Sequence, residues 1–259
     1  MTMGKNDDTV WSSALFRRSL GNWRQAAKSA DKAPLDILRR QRSRARQLRD
    51  ELDYLIRAAD ERLALPADGN DRFPLPHNCD WSWRPDIWRT RLNERGHTSV
   101  ESGLRLDAGV ALFHDCDLHQ MSLRQVRNHH PEDLAAYGLS LDVFEFEGSF
   151  LSLAIDMPAA AMLSLRHDHV IRVGTIVEME RLLEIFVRLN IRQGPNTEQM
   201  VREVAFEEDE AMVEFDLALS NLNAHRIEKA WIDLIFENPQ MNAVTLRDLT
   251  FARFPRAPL

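Results

Sequence analysis

The stretch LEIFVRLNIR, residues 183–192, alternates with a period of two, so that Leu183, Ile185, Val187, Leu189 and Ile191 share one face. VEFDLAL (213–219) does the same, with Val213, Phe215, Leu217 and Leu219 set against Glu214 and Asp216. This period belongs to a strand with one buried face. Working outward, the same signature is carried by AWIDLIFE (230–237), AVTLRDLTFARF (243–254), GLRLDAGVALFHD (103–115), LSLDVFEF (139–146), SFLSLAIDM (149–157), REVAF (202–206) and HVIRV (169–173). The total is nine strands or fragments of strands after residue 100.

The connections between them are short and turn-like: Glu147-Gly148, Gly194-Pro195-Asn196, the acidic EEDE (207–210), Asn221-Leu222-Asn223 and Asn238-Pro239. Regular helical crossovers do not fit between them, although SLRQVRNHHPEDLAAYG (122–138) reads as holding a short helix. The fold class expected is mainly β: an antiparallel β-sandwich of jelly-roll type, preceded by an N-terminal helical arm or hairpin.

The arm is residues 1–65, with 14 Lys and Arg against 9 Asp and Glu; the remainder carries 19 against 31, and the whole chain has a formal charge of −7. A basic arm is therefore attached to an acidic body. Within residues 34–64, Leu38, Ala45, Leu52 and Ala59 recur every seven positions with Leu48 and Leu55 between them. They draw a narrow apolar seam along a helix, which packs on the first helix (roughly 8–30) or on a second subunit. The first helix is basic and amphipathic, which suits packing on its neighbour or peripheral contact with an anionic membrane. Residues 66–80 hold three prolines and a glycine and read as a linker, so residues 81–259 form the sandwich domain.

A hydrophobic content of 44% and a charged content of 28% over 259 residues fit a globular protein with a packed core. No apolar run reaches the roughly 18 residues a membrane-spanning helix needs. Cys79 and Cys116 read as free thiols, and Arg17-Arg18 is followed by no export-signal h-region, so a cytoplasmic protein is expected.

In LFHDCDLH (112–119) the candidate metal ligands are His114, Asp115 and His119, but strand alternation puts His114 opposite the other two. With no CxxC, HExxH, GxSxG or phosphate-binding loop in the sequence, neither a metal nor a cofactor is expected, and the chain reads as a non-enzyme. Binding is read from loop geometry instead. If strands alternate up and down, GPNTEQ (194–199) and SNLNAHR (220–226) emerge at one end, gathering Asn196, Thr197, Glu198, His225 and Arg226 as candidate ligand-binding residues. The other end gathers the carboxylates of EEDE, donors of the kind that hold Ca²⁺. In CDWSWRPDIWRTRL (79–92), Trp81 and Trp83 share a face of an extended segment before Arg84-Pro85 bends the chain, which suits a clasp sealing an open end of the core ahead of the alternative, an exposed platform for a sugar.

The strings LFHDCDL, EGSFLSLAIDMP, LNIRQGPNTEQMVRE, EKAWIDLIFENPQMN and LRDLTFARFPRAP resemble an uncharacterised family of small proteins from marine and photosynthetic alphaproteobacteria of the Rhodobacter group. The resemblance covers roughly residues 75–257 and implies membership of a domain-of-unknown-function family, with no function attached. The expected architecture is also broadly similar to carbohydrate-binding jelly rolls. The first function expected is a non-catalytic binding module for a glycan-like ligand or a protein partner, with the helical arm mediating assembly. The second is a scaffold that self-associates through residues 34–64 and docks on an acidic or membrane surface; the third is a metal-dependent enzyme. A nucleic-acid partner is not expected.

Overall fold

In a computed structural model, the described residues are 8–63, 73–130, 132–207, 209–224 and 226–256. The chain divides into two compact units, residues 1–59 and 60–259. The first holds α1 (Asp8–Ser29), a single 3₁₀ turn (Ala30–Lys32) and most of α2 (Leu35–Leu63). No side chain from residue 16 to 52 is buried there. The apolar seam of α2 lies open within the chain: Leu48 is 40%, Leu52 45% and Leu55 62% exposed.

The second unit contains, in chain order, β1 (Trp81–Trp83), α3 (Asp86–Arg89), β2 (Gly96–Thr98), β3 (Leu104–Arg105), β4 (Val110–His114), β5 (His119–Arg127), β6 (Tyr137–Phe146), β7 (Leu151–Asp156), α4 (Ala159–Met162), β8 (His169–Met179), β9 (Ile185–Gln193), β10 (Asn196–Glu203), β11 (Phe206–Glu207), β12 (Glu210–Asp216), β13 (Ile227–Phe236) and β14 (Asn242–Pro255). One sheet runs β11-β12-β8-β14-β6-β5-β2, with β1 also on β14; the other runs β10-β9-β13-β7-β4-β3. All pairings are antiparallel. Strands β6 to β9 pair in nested order with β14, β13, β12 and β10, and the roll closes where β14 also meets β8 and β13 also meets β9. That nesting is the jelly roll expected from the strand pattern.

The core is the alternate residues of both inner faces. Ile185, Val187, Leu189 and Ile191 of β9 face inward beside Ala230, Ile232, Leu234 and Phe236 of β13, none more than 2% exposed. Each full burial of a large aliphatic side chain contributes about 1.5–3 kcal/mol. Two expectations fail against the same rule. The described residues of 122–138 hold no helix: β5 covers them to Arg127, because Met121 and Leu123 keep the period of two that buries them. Leu219 is not on the inner face with Leu217, because the strand stops at Asp216 and Leu217–Leu219 turns into a 3₁₀ helix, leaving Leu219 73% exposed.

A bulge in β14 shifts the register between Leu246 and Asp248. Val244 and Leu246 point inward before it, Leu249 and Phe251 after it, so Arg247 and Asp248 are thrown together to the outer side. Both are 5% exposed and must be compensated. Arg84 meets Asp248 as a two-pronged fork, with Nε to Oδ1 and Nη2 to Oδ2 both at 2.8 Å. Arg247 donates Nε to Asp133 at 2.9 Å and Nη1 to Glu178 at 3.0 Å. Burial raises the Asp248 carboxyl above its ordinary range, and Arg84 is the main influence opposing that.

The same segment is strapped at further points. β6 pairs with β14 only to Leu246, and β1 takes the vacated edge, Trp83 opposite Phe251 and Trp81 opposite Arg253. Trp83 lies 5.2 Å from Phe251 between ring centroids, and Trp88 is fully buried with its indole N–H donating to Leu246 O at 3.0 Å. Asp80 accepts from Arg253 Nε at 2.8 Å. The tryptophan cluster is thus a clasp. The cysteines are free; Cys116 is buried, donating Sγ–H to Leu118 O at 2.7 Å.

Two predictions concern the strap. Arg84→Met leaves a buried carboxylate unpaired and should cost about 3–5 kcal/mol in urea unfolding, whereas Arg84→Met with Asp248→Leu should recover most of the loss. His169 is 1% exposed, and burial holds its pKa below the ordinary 6.5 against the opposing pull of Asp80. The folded state then binds fewer protons than the unfolded chain. Its contribution is complete above about pH 6.5 and is lost as pH falls below that value. Melting temperature should therefore drop on mild acidification, and His169→Gln should flatten that drop.

Candidate functional site

The strap joins the first sheet along β14, next to the bulge. On the outer side of the second sheet, over β4, β7 and β13, lies a trough of about 370 Å³. Its floor follows from side-chain size: Ala111 of β4 and Ala154 of β7 are direct cross-strand partners, and Gly109 continues the line. Larger neighbours raise the walls, Phe113 at 40% exposure on one side and the half-buried Trp231 on the other.

Charged and polar groups ring this floor. Asp107 caps the β3–β4 turn, its Oδ1 accepting from Gly109 N and Val110 N at 2.7 Å each, and so sets Arg105 at the rim. Lys229 Nζ lies 2.7 Å from Asp156 Oδ1 and 5.5 Å from the Trp231 ring centroid. Arg192, Pro195 and Thr197 close the far wall.

That wall is held by a ladder of polar groups with two buried members, Asn190 and Asp233, at its centre. Gln199 Nε2 donates to Asn190 Oδ1 at 2.9 Å, Asn190 Nδ2 donates to Asp233 Oδ2 at 3.0 Å, and Arg188 donates Nε and Nη2 to the same oxygen at 2.9 and 2.8 Å. Asn190 is fully buried and Asp233 is 5% exposed, and both are satisfied. A satisfied buried network of this kind locks β10, β9 and β13 in one register, which fixes where Arg192, Thr197 and Lys229 stand.

The two loops assigned to one end of the sandwich do meet there. Gln193 Nε2 donates to Asn221 O at 3.1 Å, Gln193 Oε1 accepts from Asn223 N, and Glu198 Oε1 accepts from Asn221 N at 3.1 Å. Of the five residues expected to bind ligand, Thr197 lines the trough. Asn196 is exposed at the start of β10, Glu198 holds the loop junction, and Arg226 is exposed with its backbone N–H on Asn223 O at 2.9 Å. His225 lies outside the described residues.

The histidine-rich stretch is tied into the fold. His114 is 5% exposed, its Nε2 facing Val100 O at 2.9 Å and its Nδ1 accepting from Cys116 N at 3.2 Å. Asp115 accepts from Ser149 and from Phe150 N, bonds that hold its carboxyl below the usual range. His119 Nδ1 lies 3.1 Å from Cys116 O, and its ring stands edge-on to His114 at 4.5 Å. Among the described residues no three His, Cys, Asp or Glu side chains converge on a metal position.

Loop polarity pointed to the sandwich end and missed the sheet face. The missing signal was in the alternation itself. In AWIDLIF, Ala230, Ile232, Leu234 and Phe236 face inward, so Trp231 is a large aromatic ring on the outward set, with Asp156 opposite it on β7.

Among solved structures, the chain is similar to a family 11 carbohydrate-binding module from Clostridium thermocellum, at 9% identity and a TM-score of 0.39, covering 61% of this chain and 96% of that one. It is similar to the CBM22-1 xylan-binding domain from Paenibacillus barcinonensis at 7% identity and a TM-score of 0.35, covering 71% and 100%. It is also similar to the enzymatically active domain of the bacteriophage CBA120 tailspike protein 4, at 6% identity and a TM-score of 0.39 over 55% of this chain, but spans only 19% of that one. No curated protein matches. Over residues 3–259 the sequence matches the model of the family of unknown function DUF6478, and the chain belongs to that family.

Proposed function

We propose that the jelly roll is a non-catalytic binding module whose trough takes a polar, glycan-like ligand. The observation that carries this reading is the trough itself: a floor of alanine and glycine beside aromatic and hydrogen-bonding side chains, with β9, β10 and β13 on its far side joined by the Asn190 ladder. Its volume of about 370 Å³ lies in the range of small-ligand sites. Glycoside hydrolysis uses two carboxyl groups across the scissile bond, and the trough lining has one, Asp156, already ion-paired to Lys229. A ligand held here would be recognised rather than cut.

The test is calorimetric titration of the full chain with a panel of neutral and acidic oligosaccharides, repeated on Ala154→Leu. The substitution fills the floor from the solvent side, so stability should change by less than about 1 kcal/mol while binding disappears. Binding that survives Ala154→Leu unchanged would place the ligand elsewhere; a panel with no binder would end the glycan reading.

A second reading concerns the arm, and the open seam of Leu48, Leu52 and Leu55 on α2 favours it. An apolar stripe of this spacing on an exposed helix is covered most economically by a copy of itself, so the arm assembles the binding module into oligomers. Light scattering should give more than one chain per particle for the full protein and a single chain for Leu48→Asp with Leu52→Asp. A monomeric parent protein would contradict this reading.

A further inference from the structure

The charge in the trough opposes the charge of the body that carries it. Residues 66–259 hold 19 Lys and Arg against 31 Asp and Glu, yet the trough gathers Arg105, Arg192 and Lys229 against the single carboxylate of Asp156. The three cations stand on β3, β9 and β13, far apart in sequence, so it is the fold that collects them.

Their commitments differ. Lys229 is spent within the fold: it pairs with Asp156 at 2.7 Å and sits over the Trp231 ring at 5.5 Å. That ammonium occupies an indole face, the surface on which a neutral sugar would stack. The two guanidinium groups are freer. Arg192 reaches Glu228 through Nε at 3.3 Å, with the two side chains 58% and 53% exposed, a pair that solvent and salt weaken. Arg105 Nη1 donates to Ala108 O at 3.3 Å, and among the described residues Arg105 forms no ion pair with a carboxylate. Two planar forks of N–H donors therefore border a small-residue floor, the geometry that fits planar carboxylates.

We infer that the ligand of the trough is an acidic saccharide of the uronate type, with Arg105 and Arg192 taking its carboxylates and the Ala111–Ala154 floor admitting the sugar ring. The inference rests on reading the trough as a glycan site, and the experiment separates the two. The full chain is titrated calorimetrically, at low and high salt, with short oligomers of galacturonate, mannuronate and guluronate, each beside its carboxyl-reduced counterpart. At least one acidic form should bind about tenfold or more tightly than its reduced partner, the effect of a charge-assisted hydrogen bond. High salt should weaken it. Arg105→Gln and Arg192→Gln should each lose about tenfold with melting temperatures unchanged, and Arg192→Lys should regain only part, because an ammonium lacks the fork. Equal binding of acidic and reduced forms, abolished in both by Ala154→Leu, would overturn the acidic assignment and leave the glycan site standing. Binding of neither form would overturn both.

Discussion

The second unit depends on how one irregularity in its last strand is neutralised. The β14 bulge sends Arg247 and Asp248 to the same side, each nearly excluded from water. A buried charge is tolerated only when paired and hydrogen-bonded, and both partners come from segments distant in sequence: Arg84 from the lead-in and Asp133 from the β5–β6 connection. The two ion pairs therefore fix two otherwise irregular segments against the first sheet. Trp83 and Trp88 then complete the closure in apolar terms, one ring against Phe251 and the other wholly inside the core.

That closure sets the site. On the first sheet β1 pairs with β14 beyond the bulge; on the second, the outward Ala111 and Ala154 of β4 and β7 are small and leave a depression. The Asn190–Asp233 ladder extends the same principle to the open face, since a satisfied buried polar network specifies one register. A trough on such strands changes little when it is filled, which lowers the ordering cost of binding.

The fold was legible because inward burial imposes a period of two, and β9 and β13 carry it without interruption. It misled where another pattern overlay it. Residues 122–138 read as holding a short helix, yet Met121 and Leu123 hold β5 in the sheet. The bulge leaves only a change of phase in the sequence, from Val244 and Leu246 to Leu249 and Phe251, while the register shift itself arises in pairing with β8. The site was legible only at its margin, through Thr197. Arg105, Ala154 and Trp231 become neighbours by strand order alone, and the histidine cluster at 114–119, prominent in the sequence, serves the backbone of its own turn.

The most direct measurement of whether the trough is the binding surface is an amide and indole nuclear magnetic resonance titration of the full chain with a uronate oligomer. Shifts should concentrate on Arg105, Ala111, Ala154, Thr197, Lys229 and the Trp231 indole, with the resonances of Trp83 and Trp88 unmoved. Shifts centred instead on the 220–226 loop, on the Trp81–Trp88 segment or along α2 would contradict this account.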